Sequence, residues 1–321
     1  MKQLFIICSI LVCCVGCGMI HPSHYNSSSP IEKRVMDEVP KRVIAVWQNS
    51  IETLIALGEG DRIVAAIGVP SDKYIRPEYR AVYNAIPYKS AQLLDLETAL
   101  MMKADVIVGW HSTFMNKTLQ PIEFWHKRGV RTYVAKSSNT MIDESQKIES
   151  EYAYIRDLGA IFHKEEVAES LINSMETMIT HTIEQTQNQP IPTVVFIELE
   201  GKLLRLYGKH TLAGDIGTRL HGEVVDTGSH FISMEDLVTI DPDVIFLIVS
   251  DSSYSEADAL MAYIKNQSGL QRLKAIRENR MYFLPLLAVY SPGIRLADGI
   301  TIISHGLYPA VYPESVPDYL H

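Results

Sequence analysis

The chain has 321 residues, with Lys+Arg 29 against Asp+Glu 38 and a formal charge of −9 with histidines neutral. That balance argues against nucleic-acid binding, because neutralising phosphates takes a basic face. With 47% hydrophobic and 21% charged residues the chain can bury a core, and at about 150 residues per domain its length predicts two domains or lobes once a targeting segment is set aside.

The four cysteines, Cys8, Cys13, Cys14 and Cys17, all stand near the amino terminus, so nothing after Cys17 can form a disulfide within the chain. Met1-Lys2-Gln3 leads into an apolar run from Leu4 to Val15 and then Gly16-Cys17-Gly18. One positive charge, a short apolar stretch and a small residue before cysteine read as a signal peptide over 1–16, too short for a comfortable membrane span. The small residue before Cys17 resembles the lipobox of bacterial lipoproteins, in which the signal is cut before the cysteine and the thiol is acylated. Cys14 stands where that pattern usually has leucine, and the alternative is a plain secretion signal cut elsewhere. Acylation of Cys17 holds a protein at the membrane surface by its chains and leaves no thiol for cysteine catalysis or zinc. Residues 17–40, with Ser27-Ser28-Ser29-Pro30, lack periodicity and read as a flexible tether, in which His21 and His24 are solvated.

The folded part opens with the β-branched run Arg42 to Trp47, then Gln48-Asn49-Ser50, whose polar side chains suit a helix N-cap. The following helix carries Ile51, Leu54, Ile55 and Leu57 on one face and stops at Gly58. Arg62 to Gly68 reads as a second buried strand, so strand, helix and strand form a βα unit of a parallel sheet. Asp105 to Trp110, a helical stretch through Trp125, and Val130 to Val134 continue the alternation. From about Met141 to Gln187 a long helix-forming run, interrupted near Gly159, sets a charged face (Glu149, Glu151, Lys164, Glu165, Glu166, Glu169) against an apolar one (Ile148, Tyr152, Ile155, Leu158, Val167, Leu171). Pro190-Ile191-Pro192 ends it and a strand from Thr193 to Leu199 opens a second βα series. These boundaries predict an α/β protein of two Rossmann-like lobes with mainly parallel central sheets, 41–140 and 190–321, joined by a backbone helix over 141–189, with a ligand cleft between them.

An internal repeat relates the halves. Glu97 precedes Asp105-Val106-Ile107 at the same spacing as Glu235 precedes Asp243-Val244-Ile245, each glutamate opening a helix. A glutamate there has a second reading, since it favours the helix dipole and can cap free amides.

Four segments, Arg42 to Gly58 (RVIAVWQNSIETLIALG), Leu94 to Trp110 (LDLETALMMKADVIVGW), Ser233 to Phe246 (SMEDLVTIDPDVIF) and Ser291 to Pro309 (SPGIRLADGITIISHGLYP), occur in this order. Together they resemble the substrate-binding proteins of bacterial iron-siderophore, haem and cobalamin ABC importers, over about Arg42 to Pro313. The resemblance implies a lipid-anchored protein in the cell envelope, exposed to periplasm or cell exterior, with no permanent cofactor. It would capture an iron chelate, or alternatively haem or cobalamin, and pass it to a permease dimer and its ATPase. In cobalamin binders of this family a glutamate at a helix start in each lobe docks onto permease arginines; by position these are Glu97 and Glu235.

In such proteins, as in open parallel sheets generally, the ligand lies at the carboxyl ends of the strands. That rule points to Trp47, to Trp110 and His111, to Tyr207 with Lys209 and His210, and to Tyr290 with Arg295. Trp110 also matches an aromatic lining the cleft in cobalamin binders. Aromatic walls suit large flat ligands, and a cation holds a carboxylate or catecholate chelate; for a Trp or Tyr at a strand end, packing is the competing reading. Tyr207 to Asp215 resembles a loop of ferric hydroxamate binders but lacks the tryptophan and arginine expected there. His210 with Tyr290 would suit ferric iron, and Tyr88 is a further haem candidate. His163, His181, His221 and His230 read as surface residues. The alternatives are weaker. An enzyme such as a chelatase has no supporting motif among the nucleophile elbow, the phosphate loop, His-Glu-x-x-His and the dinucleotide fingerprint. A bare-ion binder needs three or four His, Asp or Glu on one ion, and no such set assembles from the sequence.

Overall fold

The computed structural model describes residues 38–138 and 146–312, and the compact folded unit runs from Val39 onward. The signal segment, Cys17, the tether histidines and the start of the backbone segment at 141 lie outside the described residues.

The first lobe is a five-stranded parallel sheet in the order β3-β2-β1-β4-β5. Its strands are β1 (Val43–Val46), β2 (Ile63–Ile67), β3 (Tyr88–Ser90), β4 (Val106–Gly109) and β5 (Arg131–Val134). β1 and β4 are buried at every position because helices cover both faces, which is why they read as unbroken apolar runs. Helix α1 (Gln48–Ala56) follows β1, and α2 (Arg80–Ala85), α3 (Leu96–Met101) and α4 (Ile122–His126) complete the layers. The expected continuous helix through Trp125 is instead a single 3₁₀ turn, His111–Phe114, and the short α4. Gln120, with φ 67, and Pro121 separate them.

The backbone segment holds two helices, α5 (Ile148–Ile161) and α6 (Glu165–Thr186). The break falls at His163, whose φ of 54 ends the first helix, and not at Gly159. Gly159 stays helical because α6 crosses there: a Cβ on it would lie 2.7 Å from the Ala168 Cβ.

The second sheet runs β11-β10-β6-β7-β9, with β8 beside the start of β6. β6 (Thr193–Glu200), β8 (Glu223–Val224), β10 (Val244–Val249) and β11 (Met281–Pro285) are parallel, whereas β7 (Leu203–Leu206) runs antiparallel to both of its neighbours, β6 and β9 (Phe231–Ile232). The turn joining β6 to β7 contains Gly201 at φ 64. Helices α7 (Leu212–Arg219), α8 (Met234–Ile240), α9 (Ala257–Lys265), α10 (Lys274–Arg277) and α11 (Leu296–Leu307) surround it.

The repeat has a physical cause. Asp105, just before β4, accepts the backbone N–H of Lys41 (2.7 Å) and Arg42 (2.9 Å) at the start of β1. Asp243, just before β10, accepts that of Thr193 (2.8 Å) at the start of β6. In each lobe one carboxylate ties the opening of the first strand to the strand that will pair with it.

Candidate ligand-binding cleft

The chain leaves β1 to one side through β2 and β3, then returns to lay β4 and β5 on the other, so the topological switch of the first sheet falls between β1 and β4. Open parallel sheets bind ligands outside the strand carboxyl ends at that point. Trp47 follows β1 and Trp110 follows β4, and their indoles stack across the switch with centroids 5.1 Å apart. Tyr290, beyond β11 in the second lobe, meets Trp110 edge-on at 5.5 Å. Three of the aromatics expected from sequence therefore form one half-buried cluster bridging the lobes. Offset and edge-to-face geometries are those that aromatic quadrupoles favour.

Trp47 has φ 71 and ψ 154, a conformation a non-glycine residue adopts only at a cost, and such strain gathers at functional sites. Its ring lies against Gly68, where a Cβ would come within 2.6 Å of the indole. Trp47, and not the Gln48-Asn49-Ser50 triplet, is the N-cap of α1, and it makes no side-chain cap. The triplet forms the first helical turn. Asn49 Oδ1 accepts the Trp110 indole N–H at 3.0 Å, fixing that ring.

Tyr290 is placed by the turn that follows it. Ser291 (φ 44) and Gly293 (φ 55) fold the chain onto α1, and a Cβ on Gly293 would come within 2.5 Å of Thr53 Oγ1. Thr53 accepts the Ile294 N–H at 3.2 Å, the buried Glu151 accepts the Gly293 N–H at 2.9 Å, and the Ser137 and Ser291 hydroxyls share a 3.0 Å hydrogen bond. Burial drives the Glu151 carboxyl pKa upward, only partly offset by Ser137 and the Gly293 amide. A raised folded-state pKa means the native chain binds this proton more tightly than the unfolded chain. Stability is therefore lost as pH rises from the unfolded carboxyl range into the raised one. Glu151→Gln keeps an acceptor for Gly293 and carries no proton equilibrium. Its melting temperature should match the wild type near pH 4 and increasingly exceed it as pH rises above the ordinary carboxyl range.

Arg295 is corrected by the structure. It is 5% exposed and committed inward: its guanidinium donates to both Glu52 oxygens (2.6 and 2.8 Å), to Asp298 (3.0 Å) and to the Tyr74 carbonyl (2.7 Å). Burial opposes its charge, but Glu52 and Asp298 outweigh burial and raise its pKa. Arg76 joins from the first lobe, donating its backbone N–H to Glu52 at 2.7 Å and its guanidinium to Asp298. Two arginines and two carboxylates thus neutralise each other across the lobes, leaving Arg295 no free donor face for a ligand.

The remaining expected cleft residues disperse. Tyr207 is buried, its hydroxyl donating to Glu198 at 2.6 Å, which with burial raises its pKa. Lys209 and His210 are exposed on the following loop, where the Lys209 N–H reaches Asp226 at 3.2 Å. No hydrogen bond or ring contact joins His210 to Tyr290 among the described residues. His111 is exposed, and Tyr88 lies exposed on edge strand β3, without a ring contact to the aromatic cluster among the described residues. Arg205 on β7, which sequence reading misses, is a cation whose charge acts on Tyr290 of the cluster. It lies 5.3 Å over the Tyr207 ring and pairs with Glu200 at 3.1 Å. Burial raises the Tyr290 pKa, and the Arg205 charge works in the opposite direction. Exposed and buried residues alternate along β7, the mark of a half-buried strand, and that period would have shown Arg205 pointing away from the core.

Glu97 and Glu235 occupy the same place in their helices, the second residue of α3 and of α8, and both are exposed. Neither caps its helix. Asp95 accepts the Thr98 N–H at 2.8 Å, and Ser233 and Asp236 form a reciprocal capping box. Both carboxylates are therefore left without a hydrogen-bond or ion-pair partner among the described residues.

A solved periplasmic binding protein from Veillonella parvula DSM 2008 is 56% identical to this chain, with a TM-score of 0.85 over 88% of this chain and 89% of that one. The chain is 21% identical to an uncharacterised ABC transporter substrate-binding lipoprotein, YvrC, of Bacillus subtilis (strain 168), over 86% of this chain and 82% of that protein. It is 22% identical to an achromobactin-binding periplasmic protein of Dickeya dadantii (strain 3937), over 76% and 78%. The periplasmic binding protein family model matches residues 43–286, and with the two-lobed architecture and the cleft above, the chain belongs to that family of solute-binding proteins.

Proposed function

We propose that this protein is the extracytoplasmic, lipid-anchored receptor of an ABC importer, capturing an iron chelate between its lobes and delivering it to a permease dimer. The observation that carries the reading is the Trp47–Trp110–Tyr290 cluster, which spans both lobes at the switch point of the first sheet. Aromatic faces and edges hold large chelates and flat macrocycles. The achromobactin-binding relative supports a chelate as cargo, and the lipoprotein relative supports acylation at Cys17. Among the described residues no three His, Cys, Asp or Glu side chains gather as a bare ion requires.

Docking rests on Glu97 and Glu235. The helices that carry these unpaired carboxylates also expose apolar side chains, Leu100 and Met101 in one lobe and Val238 in the other. Interfaces combine an apolar core with a polar rim, so exposed apolar side chains with a charge beside them suit a docking surface. The buried ion network between the lobes favours a largely preformed site with small closure.

Tryptophan fluorescence of the chain truncated after Cys17, which retains the whole unit from Val39, tests the cargo. The titrants are ferric hydroxamate, catecholate and citrate chelates, haem, cobalamin and bare ferric, zinc and manganese ions, with inner-filter controls. Saturable quenching by a chelate is the expected result, with Trp110→Ala weakening binding about 30-fold or more, as for a central aromatic anchor. Response to a bare ion alone would replace the chelate reading.

A further inference from the structure

Resting on the cleft reading above, we propose that the amino end of α1 is a subsite for an anionic oxygen of the cargo, so that the chelate carries a free carboxylate and Asn49 selects for it. Asn49 is 5% exposed. The Trp110 indole nitrogen can only donate, so the Asn49 atom facing it must be Oδ1 and the amide cannot be flipped. Its Nδ2 is then a pure donor, and it has no hydrogen-bond partner among the described residues. The Trp47 indole N–H at the same helix start is equally buried and equally unmatched. Buried donors are nearly always satisfied, so two orphans two residues apart at one helix start mark a missing acceptor.

The surroundings fit an anion. α1 has nine residues, no side-chain cap and no acidic residue in its first turn, so its free backbone N–H groups and dipole favour negative charge. The nearest acid along the helix, Glu52, is fully buried and held by Arg295 and the Arg76 amide, so its charge is already matched. The Trp47 donor belongs to the indole stack itself, and the Asn49 side chain is held against the stack's other ring, Trp110, which Tyr290 meets edge-on. A carboxylate entering at the helix start meets the Asn49 Nδ2 donor and the free first-turn N–H groups, with the Trp47 N–H available as its ring moves aside, while the aromatic faces take the flat part of the chelate. A neutral chelate of the same size satisfies the rings only.

The test compares matched probes on the truncated wild-type chain and on Asn49→Asp: haem against haem dimethyl ester, and ferric citrate against a neutral ferric trihydroxamate. Aspartate keeps an acceptor for Trp110 and suits a helix start, but offers the ligand an acceptor where asparagine offers a donor. The expected result is that at least one carboxylate-bearing probe binds about 30-fold or more tightly than its partner, and that Asn49→Asp collapses the ratio. The wild-type comparison stands even if the variant folds poorly. Tighter binding of the neutral probes, or a ratio unmoved in folded Asn49→Asp, overturns the subsite and leaves the chelate receptor standing. Binding of none of the four, nor of any chelate in the wider panel, overturns both.

Discussion

Replacing Glu52 with alanine should destabilise the protein by about 3–5 kcal/mol, the cost of breaking a buried ion pair by removing one partner. Glu52 has no exposure and receives four donors: two from the Arg295 guanidinium, the Arg76 backbone N–H and the Gln48 side chain at 3.1 Å. Without it, Arg295 and Arg76 confront each other beside the single carboxylate of Asp298, and an uncompensated charge stays out of water. The loss is a large share of the ~5–15 kcal/mol that typically separates native from unfolded chains. In a protein of this size it corresponds to a fall in melting temperature on the order of 10 °C. Glu52→Gln, which retains an acceptor, should lose less. Calorimetry or denaturant titration reads both; an unchanged midpoint for Glu52→Ala would remove the network as the tie between the lobes.

The double substitution Glu97→Ala with Glu235→Ala should reduce import at least tenfold and leave ligand affinity within a factor of two. Interfacial charge pairs at close range carry coupling energies of about 1.5–7 kcal/mol, so losing one in each lobe removes most of the docking energy. Stability should barely change, because Asp95 and Ser233 hold the caps and both glutamates face solvent. Uptake of radioactive iron chelate by cells carrying the whole importer measures the first quantity and fluorescence titration the second. Lost affinity with intact uptake would contradict the assignment.

The strands are legible in the sequence because both faces of β1, β4 and β10 are covered, so they read as continuous apolar runs, as does the buried stretch Val194 to Ile197 of β6. The repeat is legible because the same strand-tying aspartate is needed twice, at Asp105 and Asp243. The strand-end rule correctly places Trp47, Trp110 and Tyr290 near one another, since it depends on topology alone. It fails for Arg295 because the deciding partner, Glu52, lies 243 residues away, and a local pattern cannot distinguish a guanidinium facing a cleft from one facing a buried carboxylate. Asn49 reads as part of an N-cap because polar residues before an apolar helix usually are one. The strained backbone of Trp47 moves the helix start forward and turns that amide inward. Arg205 escapes a sequence reading because β7 is a short antiparallel addition to a sheet whose other signals are parallel.

The most direct measurement is a crystal structure of the truncated chain with the chelate that gives saturable quenching. The expected structure has the chelate between the lobes, in contact with Trp47, Trp110 and Tyr290, with the Glu52–Arg295 and Arg76–Asp298 pairs intact. A chelate seated elsewhere, with the three rings still packed on one another, would contradict it.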